Sequence, residues 1–237
     1  MKLTTPVFRL KRQARQQARA TGTPLHAALD RMAHDEGFRS WGHLSASLAV
    51  DRPSAALLQQ LRPGDLMLLG GRPGNGKTLM GLSLAAEAAS AGRPAYFFTL
   101  EDSESIVRDR LRLLGFAPGL IGGKLILDTS DAICAQHMIE RIGPKADRAV
   151  AVIDYLQLLD QRRRNADLSV QVAALREFAE ATGSILVMLS QIDRVFDSSG
   201  RRFPERADIR LPNPIDTSLF TRACFLRAGE ARLQEVA

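Results

Sequence analysis

The chain has 237 residues, 45% of them hydrophobic, and a formal net charge of +6. That length suits one α/β domain with a small appendage, and the positive balance suits an anionic partner such as nucleic acid, or plain solubility. No apolar run approaches a membrane span, and Cys134 and Cys224 stand far apart in no metal spacing, so they read as reduced core residues of a cytoplasmic protein without membrane association.

In chain order, residues 1–51 form a separate compositional unit. Val7 to Ala20 reads as a helix carrying Arg9, Lys11, Arg12, Arg15 and Arg19. Thr23 is placed to cap a second helix with Pro24 in its first turn; Leu25, Ala28, Leu29 and Met32 share one face, and Gly37 closes it. Ser40 is placed to cap a third helix, Trp41 to Leu48. The basic face of this helical module suits either solvent or nucleic acid. The segment is also similar to a short stretch in several otherwise unrelated bacterial proteins, which implies no activity.

Residues 52–237 read as the main domain. Strands are expected at Leu66–Leu69, Ala95–Leu100, Lys124–Leu127, Ala149–Ile153 and Ile185–Leu189. Helices are expected at Lys77–Ala91, Glu104–Leu114, Ala132–Ile142 and Leu168–Thr182. Short continuous apolar strands alternating with helices predict a mainly parallel central sheet flanked by helices.

Gly71, Arg72, Pro73, Gly74, Asn75, Gly76, Lys77 and Thr78 fit the phosphate-loop pattern between an expected strand and an expected helix. Such a loop turns backbone N–H groups onto an anion, and the helix behind adds the positive end of its dipole. Lys77 would reach the β- and γ-phosphates of ATP, and the Thr78 hydroxyl would bind Mg²⁺. Asp154 ends an apolar strand and suits the acid that holds Mg²⁺ through its water shell. Glu101 ends another and suits the base that takes a proton from the attacking water, leaving Asp102 or Ser103 to cap the next helix. Gln191 ends a third, where an amide can contact the γ-phosphate.

Four stretches, GGRPGNGKT, FFTLEDSESIVRDRL, AVIDYLQLL and LSQIDR, together resemble the successive motifs of the ATPase domain of replicative DnaB-type helicases, within the RecA-like superfamily. The resemblance runs from about Gly64 to Arg194, and IDYLQLL is its most specific piece. It implies a RecA-like P-loop NTPase with ATP and Mg²⁺, with Glu101 as base, Asp154 as metal acid, Gln191 as γ-phosphate sensor, and motif positions for Arg110 and Arg194. It also implies a homo-oligomer, a hexameric ring around single-stranded DNA with each site at a subunit junction. Arg162, Arg163 and Arg164 follow the Asp154 strand on the face where that family lines its channel, and would neutralise backbone phosphates.

The segment Asp208 to Glu230 stands in the place of the last family motif; Arg210 matches, whereas Thr217 replaces a Gln, and Pro212 and Pro214 depart from the pattern. The family strands that deliver an arginine and a lysine into a neighbour's site have no counterpart here, nor does the large helical domain that docks primase. Arg210 and Arg227 are the resident candidates to act in trans, and slow hydrolysis by the isolated protein is expected. Two readings follow: a DNA-stimulated ATPase with helicase activity, or a nucleotide-dependent binding and regulatory module that hydrolyses ATP slowly without unwinding.

Overall fold

A computed structural model describes residues 5, 7–44, 52–143, 147–156, 159, 166–210 and 215–236. The contacts divide the chain into two compact units, Met1–Ala56 and Leu57–Ala237.

In the first unit, α1 (Val7–Thr21) and α2 (Leu25–Asp35) pack together, and a helical turn, α3, covers 41–44. The rest of the third expected helix lies outside the described residues. Gly37, at φ +85°, closes α2: its N–H donates to the His34 carbonyl and the Phe38 N–H to the Ala33 carbonyl, both at 2.9 Å. These two hydrogen bonds satisfy carbonyls left over at the helix end, and the left-handed residue they need is cheapest as glycine. Ser40 Oγ accepts from the His43 N–H at 3.1 Å, so this expected cap forms. Thr23 does not cap α2; its hydroxyl meets that of Thr21 at 2.8 Å and Pro24 stands at the N-cap instead. Leu10, Ala33, Phe38 and Leu44 form a small core, with Met32 and Trp41 against it.

The second unit opens with α4 (Pro53–Gln60), which straddles the boundary between units. It then alternates β1 (Leu66–Gly71), α5 (Lys77–Ser90), β2 (Ala95–Thr99), α6 (Glu104–Leu113), β3 (Leu125–Asp128), α7 (Ala135–Ile142), β4 (Val150–Asp154), α8 (Leu168–Thr182) and β5 (Ile185–Gln191). β6 (Arg222–Arg227) and β7 (Glu230–Glu235) complete it. The sheet order is β3-β2-β4-β5-β1-β6-β7, parallel throughout except for the β6–β7 hairpin. The expected mainly parallel sheet is therefore present, lengthened by two strands absent from the sequence reading.

The continuous apolar strands follow from two covered faces. Successive side chains point to opposite sides, so Leu66 and Leu68 join the core under α7 and α8, while Met67 and Leu69 join the core under α5. Ala151 and Ile153 on β4 divide from Val150 and Val152 in the same way. α5 lies close on its face because of Gly81, where a Cβ would come within 2.9 Å of Val152 Cγ1 and 3.0 Å of Leu189 Cδ1. That close seat fixes where the helix begins, and so where the loop before it turns.

Candidate functional site

β1 and β4 end at one edge of the sheet, and their terminal residues are neighbours of other strand ends. Thr99 of β2 pairs in register with Asp154 of β4, and Gly71 of β1 with Gln191 of β5. Chain reversal over this edge makes it the crevice where open α/β sheets take ligands.

Gly71 to Thr78 follow β1 directly. Gly76, at φ +81°, is the N-cap of α5, and its carbonyl accepts from the Met80 N–H at 2.8 Å. A residue with a Cβ is strained there, so the loop's turn into the helix depends on glycine. The first turn of α5 holds no acid, which leaves its positive end available to an anion. Asn75 N–H donates to the Arg72 carbonyl at 3.1 Å, closing the loop, and Lys77 Nζ donates to the same carbonyl at 3.3 Å. Burial lowers the Lys77 pKa; Asp154 and Glu101 act against that, and Arg72 adds to it.

Asp154 is the best-defined part of the site. It is 2% exposed, and its pKa is raised to about 6, chiefly by burial. A hydrogen bond from Thr78 opposes the rise, Glu101 and Asp102 add to it, and Lys77 counters it. Its Oδ2 is buried with no hydrogen-bond partner. An orphaned carboxylate oxygen beside the Thr78 hydroxyl is the donor set that a hard cation such as Mg²⁺ uses, so these residues fit the ion. Among the described residues no group of three or more His, Cys, Asp or Glu could hold a metal.

Glu101 follows β2 and is exposed; its N–H donates to Thr99 Oγ1 at 3.2 Å, and its charge acts on both Lys77 and Asp154. Asp102, its neighbour, is buried and forms an ion pair with Arg110. The expected capping by Asp102 or Ser103 is therefore corrected: Ser103 stands at the N-cap of α6 without a side-chain bond, and Asp102 is held by an arginine two turns along that helix. Gln191, half-buried, ends β5 beside Gly71. Its carbonyl accepts from the Arg210 N–H at 2.8 Å, because residues 208–210 fold back along the end of β5.

Arg72 was read only as a loop residue. It reaches sideways, donating from Nη1 to the Ile192 carbonyl at 3.0 Å and from Nε to both carboxylate oxygens of Asp197 at 3.2 and 3.1 Å. Asn75 Oδ1 accepts from the Ala228 N–H at 3.2 Å, tying the loop to the β6–β7 turn. Beside these ties a cavity of about 390 Å³ opens, lined by Arg72, Asn75, Phe196, Asp197, Arg227 and Ala228 among others. The guanidinium groups of Arg201 and Arg227 sit 5.6 and 5.2 Å from the Phe196 ring centre, and Arg227 also donates to the carbonyls of Arg201 and Arg202. Asp197 and Phe196 carried no sequence signal, since they sit in a short 3-10 turn, Arg194–Ser198, of ordinary loop composition. Arg194 itself is exposed.

Arg162, Arg163 and Arg164, like Pro212 and Pro214, lie outside the described residues. Cys224 is a buried thiol, and burial pushes its pKa up to about 12. Cys134 departs from the expected core position: it is half-buried at the N-cap of α7, accepting from the His137 N–H at 3.5 Å. No described helix is long and apolar enough to cross a membrane.

A family model described as an AAA domain matches residues 33–195. The replicative DNA helicase DnaB of Synechocystis sp. is 28% identical over 186 residues, covering 65% of this chain and 21% of the helicase. The chain thus spans about a fifth of the length of that curated relative. The solved structure of a DnaB-like replicative helicase, described with its interactions with primase, matches at a TM-score of 0.57 and 13% identity, over 96% of this chain and 72% of that one. A KaiC-like protein from Pyrococcus horikoshii matches at 0.53 and 16% identity, over 73% of this chain and 80% of that one. At those identities the solved structures speak to the fold alone.

Proposed function

We propose that this chain, which belongs to the AAA domain family and carries a DnaB-type RecA-like ATPase domain, is a Mg²⁺-dependent ATPase that acts on single-stranded DNA as a homo-oligomer. One observation carries the reading: the buried Asp154, with its Oδ2 unpartnered, whose titration responds to Thr78, Lys77 and Glu101 around the loop before α5.

In this reading the loop amides and Lys77 hold the triphosphate and the charge that develops on the γ-phosphoryl group. Glu101, exposed to water yet close in charge to Lys77, accepts the proton of the attacking water. Gln191 contacts the γ-phosphate and passes its loss to residues 208–210 through the Arg210 bond. The nucleoside occupies the cavity beside Arg72 and Asn75. Thr78 and Asp154 would hold Mg²⁺, which neutralises phosphate charge when bound.

Arg162, Arg163 and Arg164 are assigned to DNA phosphates. Arg210 and Arg227 are assigned to a neighbouring subunit's γ-phosphate, where such a cation is worth ~10³–10⁵ in rate. Arg227 must first leave its own-chain carbonyls.

The test is ATP hydrolysis with and without single-stranded DNA, beside a sizing measurement with ATP and Mg²⁺. Stimulated turnover in an oligomer is expected. Fast hydrolysis by a strict monomer removes the subunit-junction part of the proposal. Absent hydrolysis with intact ATP binding leaves the nucleotide-dependent binding module; where hydrolysis is found, a strand-separation assay decides on helicase activity.

A further inference from the structure

The charge of this chain is unevenly placed. Residues 1–56 hold nine Lys and Arg against four Asp and Glu, a net +5 of the chain's +6. Within them α1 carries Arg9, Lys11, Arg12, Arg15 and Arg19 and no acid.

At about 100° per residue these cations spread over an arc of about 160°, centred opposite the buried Leu10 and Ala14. Arg9, Arg12, Arg15 and Arg19 are exposed and Lys11 is half-buried. Within the same unit Asp30 accepts from the Trp41 N–H at 2.8 Å and Glu36 from the Thr5 N–H at 3.1 Å. Burial, Arg15 and Arg52, in that order, lower the Lys11 pKa, as expected where cations lie close together.

We infer that this face of α1 is a nucleic-acid docking surface that holds the phosphodiester backbone of a strand without reading its sequence. Arg9 to Arg19 span about 15 Å of helix. Phosphates repeat every ~3.4 Å along one strand of a duplex, so the face can neutralise several at once. The exposed Gln13 and Gln16 lie among the cations and supply neutral donors to phosphate oxygens.

A lipid surface suits the helix less well. A helix that lies on a membrane inserts its apolar face, whereas Leu10 and Ala14 are buried. This surface does not depend on the nucleotide reading, because every residue it uses belongs to the first unit.

The experiment uses the full chain without nucleotide. Binding of a fluorescein-labelled oligothymidine is followed by anisotropy over a range of salt. The variant Lys11→Gln, Arg12→Gln, Arg15→Gln, Arg19→Gln keeps good helix formers and removes four charges. The slope of log affinity against log salt should flatten by about 3, from ~0.7 per phosphate contact. Arg12→Lys, Arg15→Lys, Arg19→Lys should keep the wild-type slope, because phosphate contact needs charge rather than a fork. Should the four-fold variant lose helicity, Arg15→Gln alone carries the same test at a change of about 0.7.

Lys77→Ala protein should retain the full slope, which separates this surface from failure of the ATP site. The inference is overturned by a wild-type chain that does not bind DNA, by an unchanged slope in the Gln variants, or by charge-dependent binding to phosphatidylserine vesicles in place of DNA.

Discussion

The two units handle charge in opposite ways. The second buries its key charge: Asp154 is 2% exposed at the end of an apolar strand, where its pKa moves to about 6. The first has, among the described residues, a core of only a few side chains and keeps the arginines of α1 outside, where water and salt screen them. A sheet covered on both faces can hold a carboxylate away from water and aim it at one ligand atom. A small helical hairpin cannot, so its charges act in number and at longer range.

The largest expected break in that contrast is Lys77→Ala. It removes the half-buried cation of the loop and should abolish ATP binding in a direct titration, whereas Arg15→Ala on α1 should leave ATP affinity unchanged. Unaltered ATP affinity in the Lys77 variant would remove the phosphate-loop assignment. Next comes Glu101→Gln, which keeps shape and loses the proton acceptor. Turnover should fall ~10²–10⁴-fold with ATP binding retained. Wild-type turnover would make Glu101 a plain loop acid.

Stability should divide the units as well. Phe97 is fully buried in the sheet, and Phe97→Ala should cost about 3–5 kcal/mol and lower the melting of the second unit. Leu44→Ala, in the small core, should lower only the melting of the first, and a single shared transition in both variants would show the units to be one cooperative block.

The smallest effect concerns pH. Asp154 titrates near 6 in the folded chain against an ordinary 3.8, so its ionisation opposes folding. Stability of the metal-free protein should therefore fall as pH rises from about 4 through about 6, by at most about 3 kcal/mol. Asp154→Asn should remove that fall, raise the melting temperature at pH 7, and abolish the added stability conferred by Mg²⁺–ATP. A flat pH profile in the wild-type chain would show Asp154 to be better solvated than its burial indicates.

Much of the second unit was legible because its strands are unambiguous apolar runs bounded by turns. α8 begins and ends where its pattern does, at Leu168 and Thr182, and the other predicted elements shift by only a few residues. β6 carries a buried apolar run that a reading of periodicity can find, whereas β7 escapes it for a physical reason. Glu230 to Glu235 shows no apolar face, being exposed or half-buried along its length, and becomes a strand only by pairing with β6. In the first unit the Gly37 stop and the Ser40 cap were readable because one residue type answers each local need. Thr23 was misread because Pro24 took the cap position.

The sequence alone determined the glycine-rich loop, the alternation of strands and helices from β1 to β5, and three polar residues at or just beyond strand ends, since each rests on local residue chemistry or on the period of the pattern. Only the tertiary structure decided what those residues meet. Glu101 and Asp102 are adjacent acids with the same local context, yet one faces water near Lys77 and the other is held by Arg110. Arg72 finds Asp197, and Asn75 finds the Ala228 N–H, across separations of 125 and 153 residues. The orphaned oxygen of Asp154 likewise exists only because β4 lies inside the sheet, beneath a helix that Gly81 allows to sit close. Such pairings follow from which strands lie side by side, a choice made by burial summed over the whole core rather than by any local stretch of chain.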